Sequence, residues 1–269
     1  MLKNITLGQY FPGDSFIHRL DARTKLLFTV GYIVLIFFIK NMWGYALAGG
    51  FVLLCCLLSQ IHVKVLLRSL RPLLFIIIFT FVLNIFFTHG EDDQLLFAWK
   101  FIRVYSTGIR FALFICIRLV LLIIGTQVLT LTTTPMSLTD GMEALLRPLS
   151  KIGLPVHEIS MMMTIALRFV PTLLEETDKL IKAQSARGAD FSSGNILKRA
   201  RNMVPLLVPL FVSAFRRADE LALAMESRCY RGGVGRTKMK QLHFSALDMC
   251  ALVSFCMLIA GIMLINQVR

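Results

Sequence analysis

Charge is what this chain has least of. Only 17% of its 269 residues are Asp, Glu, Lys or Arg, while 56% are hydrophobic. A soluble domain carries about a quarter charged residues and is roughly half apolar. The shortage excludes an ordinary water-soluble domain and implies an integral membrane protein. Signatures of catalysis are also missing. No GxxxxGK[ST] phosphate loop occurs, so ATP binding in that mode is not expected, and neither HExxH nor GxSxG is present. The chain therefore reads as a non-enzyme that binds no cofactor itself. Cys55, Cys56, Cys116, Cys229, Cys250 and Cys256 show no CxxC spacing, and the five histidines show no ligand spacing. The cysteines read as small buried hydrophobes, not as a disulfide frame or metal site. Gly232, Gly233 and Gly235 lack the strand and helix of a nucleotide loop and read as a plain loop. Polar residues interrupt the first 25 positions, so no secretory signal is visible.

What is there is apolar length. Runs at about Leu26–Ile39, Trp43–Leu58, Pro72–Phe87, Tyr105–Leu131 and Phe244–Ile265 are each near the length that crosses a bilayer. They predict about five transmembrane helices. Almost no alternating pattern appears, so the fold class is all-α. The formal net charge of +13 reflects loop bias and contact with anionic lipid, with no nucleic acid implied. Lys and Arg cluster in the N-terminal segment, in the 59–71 connection and in residues 133–243, whereas Glu91, Asp92 and Asp93 fall between the third and fourth runs. Positive-inside bias places the N-terminus and the 133–243 block in the cytoplasm.

Three segments follow: 1–132 with the first four spans, 133–243 as a cytoplasmic-side block of long amphipathic helices, and 244–269 as the last span. Within the block, Thr134–Asp140 reads as a helix start and Met142–Ile152 as a short amphipathic helix interrupted at Pro148. Val156–Ala186 reads as one long helix kinked at Pro171. Met203–Phe215 and Arg216–Tyr230 read as a helix pair closed by Gly232 and Gly233. Such helices suit an interfacial position, apolar faces inward.

An arginine-centred element occurs twice in this block, offset by 41 residues. Asp178, Leu180, Ala183 and Arg187 in the first match Asp219, Leu221, Ala224 and Arg228 in the second. A guanidinium at a helix end offers five donors in a fixed fork and suits an acidic or carbonyl-lined groove on a partner. Each arginine could instead simply complement the negative helix C-terminus. Met161–Met163 fits either an adaptable sliding surface or plain core. Arg110 and Arg118 share a face of the fourth run. Snorkelling suits the first, and either a polar seam or an internal ion pair suits the second.

The stretch from Gly8 to Leu26 resembles the opening signature of the transmembrane T component of energy-coupling factor (ECF) transporters, with Ala22 where proline is usual. Ala186-Arg187-Gly188 and Ser227-Arg228-Cys229 are similar to that family's paired X-Arg-X motifs. The resemblance implies a bacterial plasma-membrane scaffold for vitamin or micronutrient uptake. It would dock two ABC-type ATPase subunits, which hold ATP and Mg, through the two triplets. Met161, Met162, Leu206 and Leu210 would touch a small membrane substrate-binding S component. The competing readings are a stand-alone permease, for which Asn84, Arg118 and Gln127 are thin candidates, or the membrane subunit of another ABC transporter.

Overall fold

The computed structural model describes residues 10–87, 95–99, 102–189, 191, 196–233 and 243–267. Its architecture is helical. In chain order the elements are α1 (Ala22–Phe37), α2 (Met42–Ser59), α3 (Val63–Leu70), α4 (Leu74–Phe87), β1 (Leu95–Trp99), β2 (Ile102–Tyr105), α5 (Ser106–Thr132), α6 (Pro135–Leu146), α7 (Val156–Ala186), α8 (Ile196–Ser227) and α9 (Ala246–Gln267). Among the described residues, four helical stretches are long and apolar enough to cross a membrane: Met42–Ser59, Lys64–Ile85, Thr107–Thr132 and Ala246–Gln267. The remaining apolar run forms α1. Its 16 residues reach about 24 Å, short of the roughly 30 Å hydrocarbon core.

The described residues separate into two compact units, one of 142–233 and one of 10–141 with 243–267. In the latter, Tyr32, Leu35, Ile36 and Ile39 of α1 and its exit pack with Tyr45, Ala48 and Val52 of α2 and with Phe255, Leu258 and Ile262 of α9. The opposite faces stay apolar and uncovered; Phe75 on α4 is 76% exposed. That is the pattern of helices solvated by acyl chains, because lipid removes the penalty for exposing such surface.

A buried polar knot stitches the helix ends of this unit together. Asp248, only 4% exposed, accepts from the backbone N–H groups of Ser245 at 2.8 Å and Asp21 at 2.9 Å. It thereby caps α9 and fixes the start of α1 with one carboxylate. Lys25 Nζ donates to the carbonyls of His18 at 3.2 Å and Thr132 at 3.0 Å. His18 is braced in turn by Ser15 Oγ at 2.6 Å and Phe11 O at 3.0 Å. The opening segment that carries the family resemblance therefore works as an internal staple.

Several expectations need correction. The 59–71 connection contains α3, and a 3-10 turn over Arg71–Leu73 leads from it into α4. A two-stranded antiparallel hairpin, pairing Trp99 with Ile102 and Leu95 with Tyr105, stands between α4 and α5. Its strands are four or five residues long, too short for an alternation to stand out against an apolar background. Glu91, Asp92 and Asp93 lie outside the described residues. Met142–Ile152 is not one helix: α6 begins at Pro135, where the ring's missing N–H is harmless in the first turn, and Arg147–Ile152 is 3-10. The pair expected over 203–230 is the single helix α8, which carries Pro205 and Pro209 internally. Cys55, Cys56 and Cys116 are half-buried and Cys250 and Cys256 exposed, because their helices present these positions outward.

Candidate coupling site

The two arginine elements end the two longest helices, and the ends are built alike. In α7, Arg187 is the C-cap and Gly188 follows at φ +86°. The Gly188 N–H reaches Ser185 O at 3.0 Å, and the Ala189 N–H reaches Gln184 O at 3.0 Å. In α8, Arg228 occupies the same place and Cys229 follows at φ +56°. The Cys229 N–H reaches Glu226 O at 2.8 Å, and the Tyr230 N–H reaches Met225 O at 3.0 Å. Both are Schellman motifs with the same pair of bonds. The termination of α8 thus falls at Cys229, ahead of Gly232 and Gly233.

This geometry bears on what the arginines do. In each motif backbone N–H groups already satisfy two carbonyls of the last turn, Gln184 and Ser185 in α7 and Met225 and Glu226 in α8, so neither guanidinium is needed to cap them. Both side chains are exposed, and among the described residues neither has a hydrogen-bond or ion-pair partner. Ala186, Gly188, Ser227 and Cys229 are exposed with them.

The repeat extends beyond the tips. Arg217 on α8 donates to Glu176 Oε2 on α7 at 2.6 Å, and these residues are themselves 41 apart, so the pair joins equivalent positions of the two helices. A contact between equivalent positions is the mark of a two-fold relation. From each partner to its arginine is eleven residues, about 16 Å of helix. The two tips are equal arms beyond one shared ion pair. No inspection of composition points to this pair; the 41-residue offset was its only available signal.

A second polar cluster fixes the other end of this unit. Glu143 on α6 accepts from Ser160 Oγ at 2.8 Å and faces His157 Nδ1 at 3.1 Å. Gly233 lies against the same imidazole: a Cβ there would come within 2.6 Å of His157 Cδ2. The segment leaving the second motif is therefore seated on the start of α7, a restraint that calls for glycine.

The remaining candidates are placed unevenly. Met162 is 58% exposed and Met163 exposed, while Met161 is half-buried, so the methionine run is surface and not plain core. Leu210 is half-buried, and Leu206 is 8% exposed. The open apolar face of α8 carries Val204, Leu207, Val208, Phe211 and Phe215 instead, one helix stripe at i, i+3, i+4 spacing. Arg110 is exposed. Arg118 makes no ion pair among the described residues; its Nε donates to Tyr45 Oη at 3.0 Å, and its guanidinium lies 5.4 Å from the Phe37 ring centroid. Gln127 Oε1 is buried without a partner among the described residues.

Several apolar spans together with a unit of long, paired helices define a polytopic membrane subunit of a transport system. The sequence model of the family described as "Cobalt transport protein" (CbiQ) matches residues 13–240. The energy-coupling factor transporter transmembrane protein EcfT of Clostridium kluyveri is 56% identical over 260 residues, covering 95% of this chain and 96% of the relative. Its namesake in Thermosediminibacter oceani is 53% identical, covering 97% of each chain, and that of Bacillus subtilis is 48% identical, also covering 97% of each. The chain belongs to this family, as the transmembrane T component of an energy-coupling factor transporter.

Proposed function

We propose that the chain passes ATP-driven motion from two ABC-type ATPase subunits to a small substrate-binding S component, for uptake of a vitamin or similar micronutrient. The observation that carries this reading is the pair of equal arms. Two exposed guanidiniums end helices with identical caps, at the same distance beyond the Glu176–Arg217 pair. A motor of two related subunits offers two related grooves, and a rigid helix end delivers one cation to each. Ala186-Arg187-Gly188 and Ser227-Arg228-Cys229 are the docking elements. ATP and Mg belong to the ATPases, since this chain contains no phosphate loop.

The S component docks on exposed apolar surface of the same unit, with Met161, Met162 and Leu210 joined by Leu207 and Phe211. Leu206 contributes from beneath as packing. The N-terminus and the 133–243 block face the cytoplasm of a bacterial plasma membrane. The supporting observation is charge: 16 Lys and Arg against 10 Asp and Glu in that block.

The test is purification of the complex from native membranes, followed by alanine substitution. Two nucleotide-binding subunits and a small membrane protein should co-elute with the wild type. Arg187→Ala or Arg228→Ala should each weaken ATPase association by about 2–5 kcal/mol, as expected for losing one partner of a desolvated charged contact. A double variant that keeps its ATPases and substrate-stimulated hydrolysis would refute the docking reading.

A further inference from the structure

The bundle of α1, α2, α5 and α9 encloses a cavity of about 270 Å³. Its inner end is apolar: Phe51 and Phe255 line it, and Gly125 lies so close to the Tyr32 ring that any side chain there would collide. Leu54, Leu58 and Cys250 also line it and are exposed on the outer surface of the bundle, so the cavity opens sideways where lipid lies. Lys25 and Thr132 stand at its polar end. Lys25 uses two of its three N–H donors on the His18 and Thr132 carbonyls.

Water does not suit this space. An ordered water needs two to four polar partners, and apolar cavities stay dry. An empty cavity leaves its lining without dispersion contacts. The medium at the opening is hydrocarbon, so an acyl chain can enter without leaving an environment it prefers. We propose that this cavity is a phospholipid site, holding one acyl chain along Phe51, Gly125 and Phe255 with an ester or phosphate oxygen accepting from Lys25. Recognition is of the chain and not of head-group charge, because Asp21, one helical turn before Lys25, and Asp248, bound to the Asp21 backbone, offset the Lys25 charge.

The test uses the intact transporter in bilayers containing phosphatidylcholine with a diazirine on its acyl chain, irradiated and mapped by peptide mass spectrometry. Adducts are expected on the inward-facing lining residues Phe51, Val52, Cys55 and Leu129, alongside annular labelling of outward residues such as Leu53, Leu57 and Phe75. Val128→Phe, which fills the cavity, should abolish the first set and leave the second. The same probe with a phosphatidylglycerol head should label the lining within about twofold of the choline form. Labelling confined to outward residues in the wild type overturns the proposal without any variant. So does lining label that persists in a folded Val128→Phe protein, or that appears only with the anionic head.

Discussion

The two helix caps differ by one residue, and that residue is a test of the geometry. Gly188 takes positive φ freely, whereas Cys229 holds φ +56° against the clash of its Cβ with the following carbonyl. Cys229→Gly should therefore stabilise the end of α8 by about 1 kcal/mol, and Gly188→Ala should destabilise the end of α7 by a similar amount. Hydrogen exchange of the Tyr230 and Ala189 amides, which close the two motifs, reads both effects locally. Equal protection in the variants and the wild type would contradict the assigned cap conformations. The arginines' places at helix ends could be read from the chain, since Gly188 signals a C-cap. That Cys229 does the same work could not, because cysteine carries no left-handed preference.

At the scale of elements, α7 and α8 behave as a repeated pair, and the Glu176–Arg217 contact is where they meet. Both side chains are about a quarter exposed, so breaking the pair should cost only about 1 kcal/mol of stability. Its value would lie in geometry, since it sets the point from which both arms extend. Glu176→Arg alone should uncouple ATP hydrolysis from transport in reconstituted vesicles, while Glu176→Arg with Arg217→Glu should restore coupling. Coupling that survives the single reversal would show that apolar packing alone sets the crossing. A stripe of half-apolar residues told us that long helices lie here. The change from apolar to charged residues after Phe215 read as the division of a helix pair, yet α8 runs straight across it, because the helix formers from Ala218 to Met225 continue the helix whatever their polarity, while Pro205 and Pro209 each remove only one backbone bond.

For the molecule as a whole, stability of the membrane bundle is concentrated where the starts of α1 and α9 meet. Asp248→Ala would orphan the buried Asp21 amide and remove the cap from the exposed Ser245 amide at the start of α9. A loss of about 2–4 kcal/mol should follow, about 1–3 kcal/mol for the orphaned amide and about 1 kcal/mol for the lost cap. Thermal unfolding of the detergent-solubilised protein should register it, and Asp248→Asn, which keeps one carbonyl acceptor, should lose less. An unchanged melting temperature for Asp248→Ala would mean that the knot is dispensable. The T component's helical, membrane-embedded character follows from its apolar runs at this same scale, since continuous runs without alternation satisfy their backbone in lipid as helices and not as barrel strands.

Hydrophobic run lengths, the scarcity of charge and the 41-residue repeat are one-dimensional quantities, and the chain alone determined what depends on them: a helical membrane protein with two matched cationic elements. Tertiary structure decided what depends on distant residues meeting. Asp21 finds Asp248 across 227 positions and Lys25 finds Thr132 across 107. Glu176 finds Arg217 across two helices, and α1, α2, α5 and α9 leave a cavity between them. Periodicity reports which face of a helix is apolar, but not which partner that face will meet, because pairing is set by packing in three dimensions.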